Sequence, residues 1–301
     1  MKLNLNLIKE FNNSIKTDVK LSNYSWFNLG GPAEYFFKPE NKAELVNFLK
    51  ENKKYKLKTT ILGAGSNTLV RDNGVKGVVI KLGTSFSKIE LINESTIQVG
   101  AAALDRKISN FAKENGIGNF EFLSCIPGSI GGAVIMNSGC YGNDISKVLV
   151  SINGIDPDNF EEKEIQSKDI KFFYRGTNIS KKFIIISAKL KGKADAEENI
   201  EEKQKKFIEQ KKLSQPSQIK TCGSTFKNII NEKKAWQLIK ETGCDKFRVG
   251  DAVISEKHCN FFVNIGKAKS SDIEKLINKV KKTVFEKTGV NLELEIKIIG
   301  E

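Results

Sequence analysis

Two glycine-rich segments about 60 residues apart constrain this chain more than any other feature. The first lies in Ile61-Leu62-Gly63-Ala64-Gly65-Ser66-Asn67-Thr68-Leu69-Val70, an apolar run entering a Gly-Ala-Gly-Ser-Asn turn. Glycines let the chain turn tightly and bring backbone N–H groups close to an anion. Ser66 and Asn67 add side-chain donors. On its own this segment is equally well a plain strand–turn connection. A Rossmann fingerprint needs G-x-G-x-x-G opening a helix. Here no third glycine stands at the right place, and Asn73-Gly74 give a turn instead.

The second segment is Ile126-Pro127-Gly128-Ser129-Ile130-Gly131-Gly132-Ala133, followed by Met136-Asn137-Ser138-Gly139-Cys140-Tyr141-Gly142. It is too rich in glycine for an ordinary helix or strand interior, so a loop is expected. The apolar Ala133-Val134-Ile135-Met136 inside it favours a buried loop lining a cleft over a flexible surface loop. Two such segments converging on one extended ligand would suit a dinucleotide.

Around them the pattern alternates between helix and strand periods. Residues 1–20 read as a short leading helix. Asn41 to Lys53 reads as a helix, Lys58 to Leu62, Val78 to Leu82 and Thr96 to Val99 as strands. Leu104, Ile108, Phe111 and Ala112 have helical spacing, with Gly116 placed to end that helix. Val148 to Ile155 and Phe183 to Leu190 read as strands, and Glu197 to Lys212 as a charged helix at a domain junction. Ala235 to Thr242 and Ser271 to Glu286 read as helices, Phe261 to Asn264 as a strand. Leu292 to Ile298 alternates like a final strand. The strict βαβ rhythm of a doubly wound sheet is missing, so the expected class is α+β.

The net charge of +13 raises the question of nucleic acid. Only four of the 49 basic residues are arginine, however: Arg71, Arg106, Arg175 and Arg248. Nucleic-acid readers lean on arginine's planar fork, and the lysines here are spread along the whole chain. Small phosphorylated ligands suit this charge better. The five cysteines are odd in number and lack C-x-x-C spacing, which points to reduced thiols in the cytoplasm. His258 is the single histidine, so neither a zinc site nor a Ser-His-Asp triad is expected. No signal peptide or membrane span is read, and no obligate protein partner is inferred.

Three further segments carry possible chemistry. In Phe172-Phe173-Tyr174-Arg175 an arginine follows three aromatics, and stacking can hold it ready for a carboxylate or phosphate. An ordinary surface arginine fits equally well. In Gly223-Ser224-Thr225-Phe226-Lys227-Asn228 a serine with a lysine and an asparagine nearby suits a proton donor beside an anion site. In Leu292-Glu293-Leu294-Glu295-Ile296-Lys297 a strand would put both glutamates on one side, and taken alone such a pair fits a solvated edge strand better.

Taken in order, these segments resemble the UDP-N-acetylenolpyruvoylglucosamine reductase family. The resemblance includes Tyr24-Ser25-Trp26-Phe27-Asn28-Leu29-Gly30-Gly31-Pro32-Ala33 and His258-Cys259-Asn260-Phe261-Phe262-Val263-Asn264 and runs from Asn23 to Gly300. The length is similar to the shorter subtype, which lacks an extra tyrosine-bearing loop.

The resemblance implies a two-lobed FAD-binding domain of the vanillyl-alcohol-oxidase (PCMH) type plus an α+β substrate-binding domain. The FAD-binding region would be residues 1–195, with lobes of about 1–83 and 84–195, and the substrate-binding domain residues 196–301. NADPH would reduce FAD, and UDP-N-acetylglucosamine enolpyruvate would be reduced to UDP-N-acetylmuramate for peptidoglycan. Arg175, Ser224 and Glu295 match the family's catalytic residues, with Glu293 an alternative to Glu295. Gly63, Ala64, Gly65, Ser66, Asn67, Arg71, Pro127, Gly128, Ser129, Gly131, Gly132, Asn137, Gly139 and Gly142 would bind FAD. Lys227, Asn228, Asn260 and Asn264 would bind substrate. Ile229, Leu294 and Lys297 depart from the family's proline, proline and arginine. Two rival readings are another flavin oxidoreductase of the same cofactor fold and a non-catalytic nucleotide- or nucleic-acid-binding protein.

Overall fold

The computed structural model describes residues 10–229 and 233–301. Contacts divide the chain into two compact units. Unit 1 comprises Met1–Thr17, Tyr35–Ala64 and Gly77–Lys211; unit 2 comprises Asp18–Glu34, Gly65–Lys76 and Lys212–Glu301.

Unit 1 has two cores. The first lies under a four-stranded sheet with the order Ile15–Lys20, Pro32–Phe37, Val75–Ile80, Thr59–Ile61, whose first three strands contain unit boundaries. Thr59–Ile61 and Val75–Ile80 pair in parallel, which requires a crossover. The helix Lys42–Tyr55 precedes Thr59–Ile61. Its start is written locally: the Asn41 side chain accepts from Glu44 N at 2.9 Å, and Glu44 reaches back to Glu40 N at 2.6 Å. Lys56 ends it in the left-handed conformation. The helix buries Leu45, Phe48 and Leu49. Phe48 stacks on Phe37 at 4.1 Å between centroids, and Phe11 meets both rings edge-on at 5.6 and 5.8 Å. Each such pair adds about 0.5–1.5 kcal/mol beyond simple burial.

The second core of unit 1 lies on a five-stranded antiparallel sheet with the order Glu162–Gln166, Leu149–Ile155, Ile184–Lys191, Thr96–Gly100, Ile89–Asn93. The helix Asp105–Glu114 buries Ile108 and Ala112 in this core and stops before Gly116, at φ +65°. The edge strand Glu162–Gln166 carries charges, which blunt an open sheet edge.

Unit 2 packs the helices Ala235–Glu241 and Ser270–Thr288 with a three-stranded antiparallel sheet of Arg248–Val249, Ala252–Ile254 and Phe262–Asn264. Gly289 ends the long helix at φ +72°, a conformation glycine adopts without a Cβ penalty. Phe27, Leu29 and Leu69 join this core from far earlier in the chain. A parallel pair, Lys297–Ile299 with Thr68–Val70, ties the unit's C-terminal strand to its middle segment, Gly65–Lys76.

Three expectations need correction. The leading helix over 1–20 lies partly outside the described residues, and Ile15–Lys20 is a strand. The segment Pro127–Gly142 is not all loop, because Ile130–Ile135 is a short helix. Burial of Ile130, Ala133 and Val134 in the second core outweighs the weak helix propensity of Gly131 and Gly132. The final strand is only Lys297–Ile299, while Leu294 makes an isolated bridge to Phe226.

Candidate active site

In unit 1 the two glycine-rich segments meet. Leu62 N donates to Ile80 O at 2.9 Å, holding the chain on the sheet up to Gly63. A Cβ added to Gly63 would stand 3.0 Å from Ser129 Oγ. The Lys81 ammonium donates to Gly63 O at 2.5 Å, and burial lowers its pKa. Nothing local in the sequence singled out Lys81.

The Pro127–Gly142 segment combines closely packed and open glycines. Ile130 N and Gly131 N donate to Ala103 O and Ala101 O at 2.9 and 3.0 Å, so these first-turn donors are already used. A Cβ on Gly131 would lie 3.1 Å from the Ala101 methyl, which makes this glycine a packing position. Gly132 and Gly142 face open space, with no heavy atom within 4 Å of an added Cβ. Tyr141 and Gly142, at φ +51° and +79°, form the two-residue turn between Gly139-Cys140 and Asn143-Asp144. Asn137 is an internal brace: its Nδ2 donates to Phe173 O at 3.3 Å and its Oδ1 accepts from Ser146 N at 3.0 Å. Beneath Pro127-Gly128, Asp105 is fully buried, and both carboxyl oxygens lack a hydrogen-bond partner in the protein. Burial pushes its pKa well up.

Arg175 sits in the left-handed region at φ +60°, at the turn between Phe172–Phe173 and Gly176–Thr177. Its guanidinium lies 4.9 Å from the Tyr174 ring centroid, and Nη2 donates to Gly139 O at 2.9 Å. The stacking expected from the aromatic run is therefore present, and Arg175 reaches the tip of the glycine-rich segment.

In unit 2, Gly65 has φ +71°, and an added Cβ would stand 1.8 Å from Tyr24 O, so no side chain fits. Trp26 N donates to Gly65 O at 3.2 Å, which explains why the Tyr24–Trp26 motif accompanies this turn. Asn67 Nδ2 donates to Glu295 O at 3.2 Å, and Lys297 N donates to Asn67 O at 2.9 Å. Glu295 N donates to Thr225 O at 2.9 Å, while Lys227 N donates to Glu293 O at 2.8 Å. This narrow ladder pins the Ser224–Lys227 segment against Glu293–Glu295. Half-buried Ser224 also bridges Phe261. Exposed Glu293 pairs with Lys227 Nζ at 3.3 Å, whereas Glu295 is half-buried beside the serine segment.

Several residues expected to touch ligands also make hydrogen bonds within the protein. Buried Asn260 ties its side-chain amide to Phe226, accepting from its N at 2.9 Å and donating to its O at 2.8 Å. Buried Asn264 donates to Phe27 O at 3.1 Å and accepts from Gly266 N and Ala268 N. Arg71 forms a two-pronged pair with Glu274 at 2.9 and 3.0 Å, and its Nη1 donates to Gly300 O at 3.4 Å. Asn228 Oδ1 accepts from Ala235 N at 3.2 Å, at the start of a helix. His258 stacks edge-on with Phe261 at 4.8 Å, and burial lowers its pKa, which favours the neutral ring.

The FAD binding domain model matches residues 33–159, and the UDP-N-acetylenolpyruvoylglucosamine reductase C-terminal domain model matches residues 215–299. The chain is similar to the UDP-N-acetylenolpyruvoylglucosamine reductase of Pelagibacter ubique, with 46% identity over 298 residues, covering 97% of this chain and 98% of that one. Against the enzyme of that name from Rickettsia canadensis, identity is 42% over 287 residues, covering 95% of this chain and 96% of the other. Among solved structures, the UDP-N-acetylenolpyruvylglucosamine reductase of Thermus caldophilus superposes with a TM-score of 0.81 at 30% identity. It covers 95% of this chain and 98% of that chain.

Proposed function

The chain belongs to the UDP-N-acetylenolpyruvoylglucosamine reductase family, and we propose on that footing that it reduces UDP-N-acetylglucosamine enolpyruvate to UDP-N-acetylmuramate, using FAD and NADPH, for peptidoglycan synthesis. Its fold is α+β, with an FAD-binding domain of the PCMH type and the family's C-terminal domain. We assign residues 1–195 to FAD binding and 196–301 to substrate binding.

The residues present fit FAD. Gly63 and Ser129 bring the two glycine-rich segments together, and Gly132 and Gly142 leave backbone open where a side chain would block a ligand. Gly63 to Asn67, Pro127 to Ser129, Gly132, Gly139 and Gly142 are the residues assigned to hold it. Bound there, FAD would supply the hydride-transfer chemistry between NADPH and the enolpyruvyl double bond.

The reading is carried by the hydrogen bond from Glu295 N to Thr225 O at 2.9 Å, which fixes the backbone of Ser224's neighbour against the C-terminal glutamate. Hydride addition drives charge into the enolpyruvyl carboxylate, and such charge calls for preorganised donors. Arg175, held by Tyr174 and Gly139, supplies that positive charge. Ser224 Oγ hands a proton to the adjoining carbon, and Glu295 orients the carboxylate or shares a proton with it. Serine is a weak acid, so Ser224 works as a relay. Lys227 is assigned to the UDP diphosphate.

No helix among the described residues is long and apolar enough to cross a membrane, and we assign the enzyme to the cytoplasm. Anaerobic addition of NADPH or NADH, followed by the UDP-enolpyruvyl substrate, tests the reading. Flavin should bleach with the nucleotide and recover with the substrate. Colourless protein, or recovery with oxygen but not with the UDP-sugar, would count against it.

A further inference from the structure

The enzymatic reading leaves unused a pair of cysteines that bracket the second glycine-rich segment. Cys125 ends the turn Glu121–Cys125 immediately before Ile126-Pro127-Gly128, and Cys140 follows Gly139. The strand Gly139–Cys140 packs on that same turn, which brings the two cysteines to one place in the fold. Cys140 Sγ also lies 3.5 Å from Phe122 O, and Ser124 Oγ lies 3.7 Å from Cys125 Sγ. The helix Glu197–Ser214 closes over the pair: Lys211 Nζ donates to Cys125 O at 2.5 Å, and Phe207 stacks on Tyr141 at 5.2 Å. Its interaction with Cys140 holds the Cys125 thiol down to about 6, assisted by Ser124 and Lys211, while Cys140 itself is raised. Cys140 is half-buried and Cys125 is 6% exposed, so a small oxidant has the shorter approach from the Cys140 side. By contrast, burial pushes the Cys222 thiol up to about 12, where thiolate is scarce at neutral pH.

We infer that Cys125 and Cys140 are a redox-responsive pair, which a hydroperoxide converts to a disulfide that staples the two ends of the glycine-rich segment and lowers turnover. The Cys125 thiolate attacks the peroxide oxygen, breaking the O–O bond; the enzyme gains a sulfenic acid, and the leaving oxygen takes a proton to become water or an alcohol. The Cys140 sulfur then attacks the Cys125 sulfur, its proton leaves with the hydroxyl as water, and the S–S bond forms. Two electrons pass from the two thiols to the peroxide. The bond encloses about 16 residues, including Gly128, Ser129 and Gly132. It also alters the surroundings of Arg175, which donates to Gly139 O, next to Cys140. The pairing stands on the thiols alone, whereas its effect on turnover rests on the flavin reading.

The test treats reduced flavin-bound enzyme with hydrogen peroxide, alkylates the remaining thiols and maps the peptides. Two of the five thiols should disappear together in one Cys125–Cys140-linked peptide, and dithiothreitol should restore both thiols and turnover. In Cys140→Ser, Cys125 should stop at sulfenic or higher acids without a link, and dithiothreitol should no longer fully restore activity. Both cysteines still alkylated after Cys222 or Cys259 has reacted would overturn the inference. So would a linked peptide with unchanged turnover. Failure of the flavin reading is distinguished by colourless protein before any peroxide is added.

Discussion

The carboxyl of Asp105 occupies the space a side chain on Gly128 would need: an added Cβ there would stand 2.5 Å from Asp105 Oδ2. Asp105 is fully buried, so its carboxyl has no free direction in which to swing. Gly128→Ala should therefore destabilise the protein by about 1–3 kcal/mol, the usual cost of overpacking a core. Urea unfolding followed by circular dichroism reads this directly, and an unchanged midpoint would show that the contact is slack.

The same carboxyl should make stability depend on pH. An unfolded aspartate titrates near about 3.9. In the folded protein, burial raises the pKa of Asp105 well above that. Below the unfolded value both states carry the proton, and the group adds no pH dependence. As pH rises toward the folded value, only the unfolded state releases the proton, so stability falls by up to about 1.4 kcal/mol per pH unit. Asp105→Asn does not titrate, so its stability relative to the native protein should improve as pH increases from about 4. Parallel stability curves for the two proteins would refute a neutral folded Asp105.

Ser224→Ala should separate the two half-reactions. NADPH should still bleach the flavin, while recovery on adding UDP-enolpyruvyl substrate should slow by about 10²–10⁴-fold, the scale of general acid catalysis. Stopped-flow absorbance measures both phases. Recovery at the native rate would remove Ser224 from the proton path.

Arg175→Lys should damage the same second half-reaction by about 10²–10³-fold, the scale of losing one preorganised donor. A lysine is a point charge and does not reproduce a fork that stacks on Tyr174 while donating to Gly139 O. Native flavin reoxidation in this variant would move the positive charge elsewhere.

Much of the local structure was legible because its causes lie within a few residues. The helix read from Asn41 starts on the Asn41 cap bond to Glu44 N, and Gly116, read as a stop, does follow the end of its helix. The aromatic run before Arg175 offered stacking as one of two equal readings, and the guanidinium does lie over Tyr174. The helix Ile130–Ile135 was hidden, because its stability comes from Ile130, Ala133 and Val134 packing into a core built by distant strands. The alternation of Leu292 to Ile298 misled for a related reason. Its partners lie far apart in sequence: Phe226 bridges Leu294, and Thr68–Val70 takes Lys297–Ile299. Burial likewise separates the two glutamates in a way spacing does not encode: exposed Glu293 pairs with Lys227, whereas half-buried Glu295 lies along the Ser224 segment.

By itself the sequence determined the mixed α+β class, the turn at Gly63 to Asn67, the second glycine-rich segment and the order of motifs that identifies the family. These rest on backbone conformation and side-chain chemistry, which neighbouring residues specify. Only tertiary structure decided that residues 18–34 and 65–76 fold with 212–301, and that Arg71, Asn260 and Asn264 brace the protein rather than present free polar groups. Burial and hydrogen-bond partners are supplied by residues up to hundreds of positions away, and spacing along the chain does not encode which of them arrive.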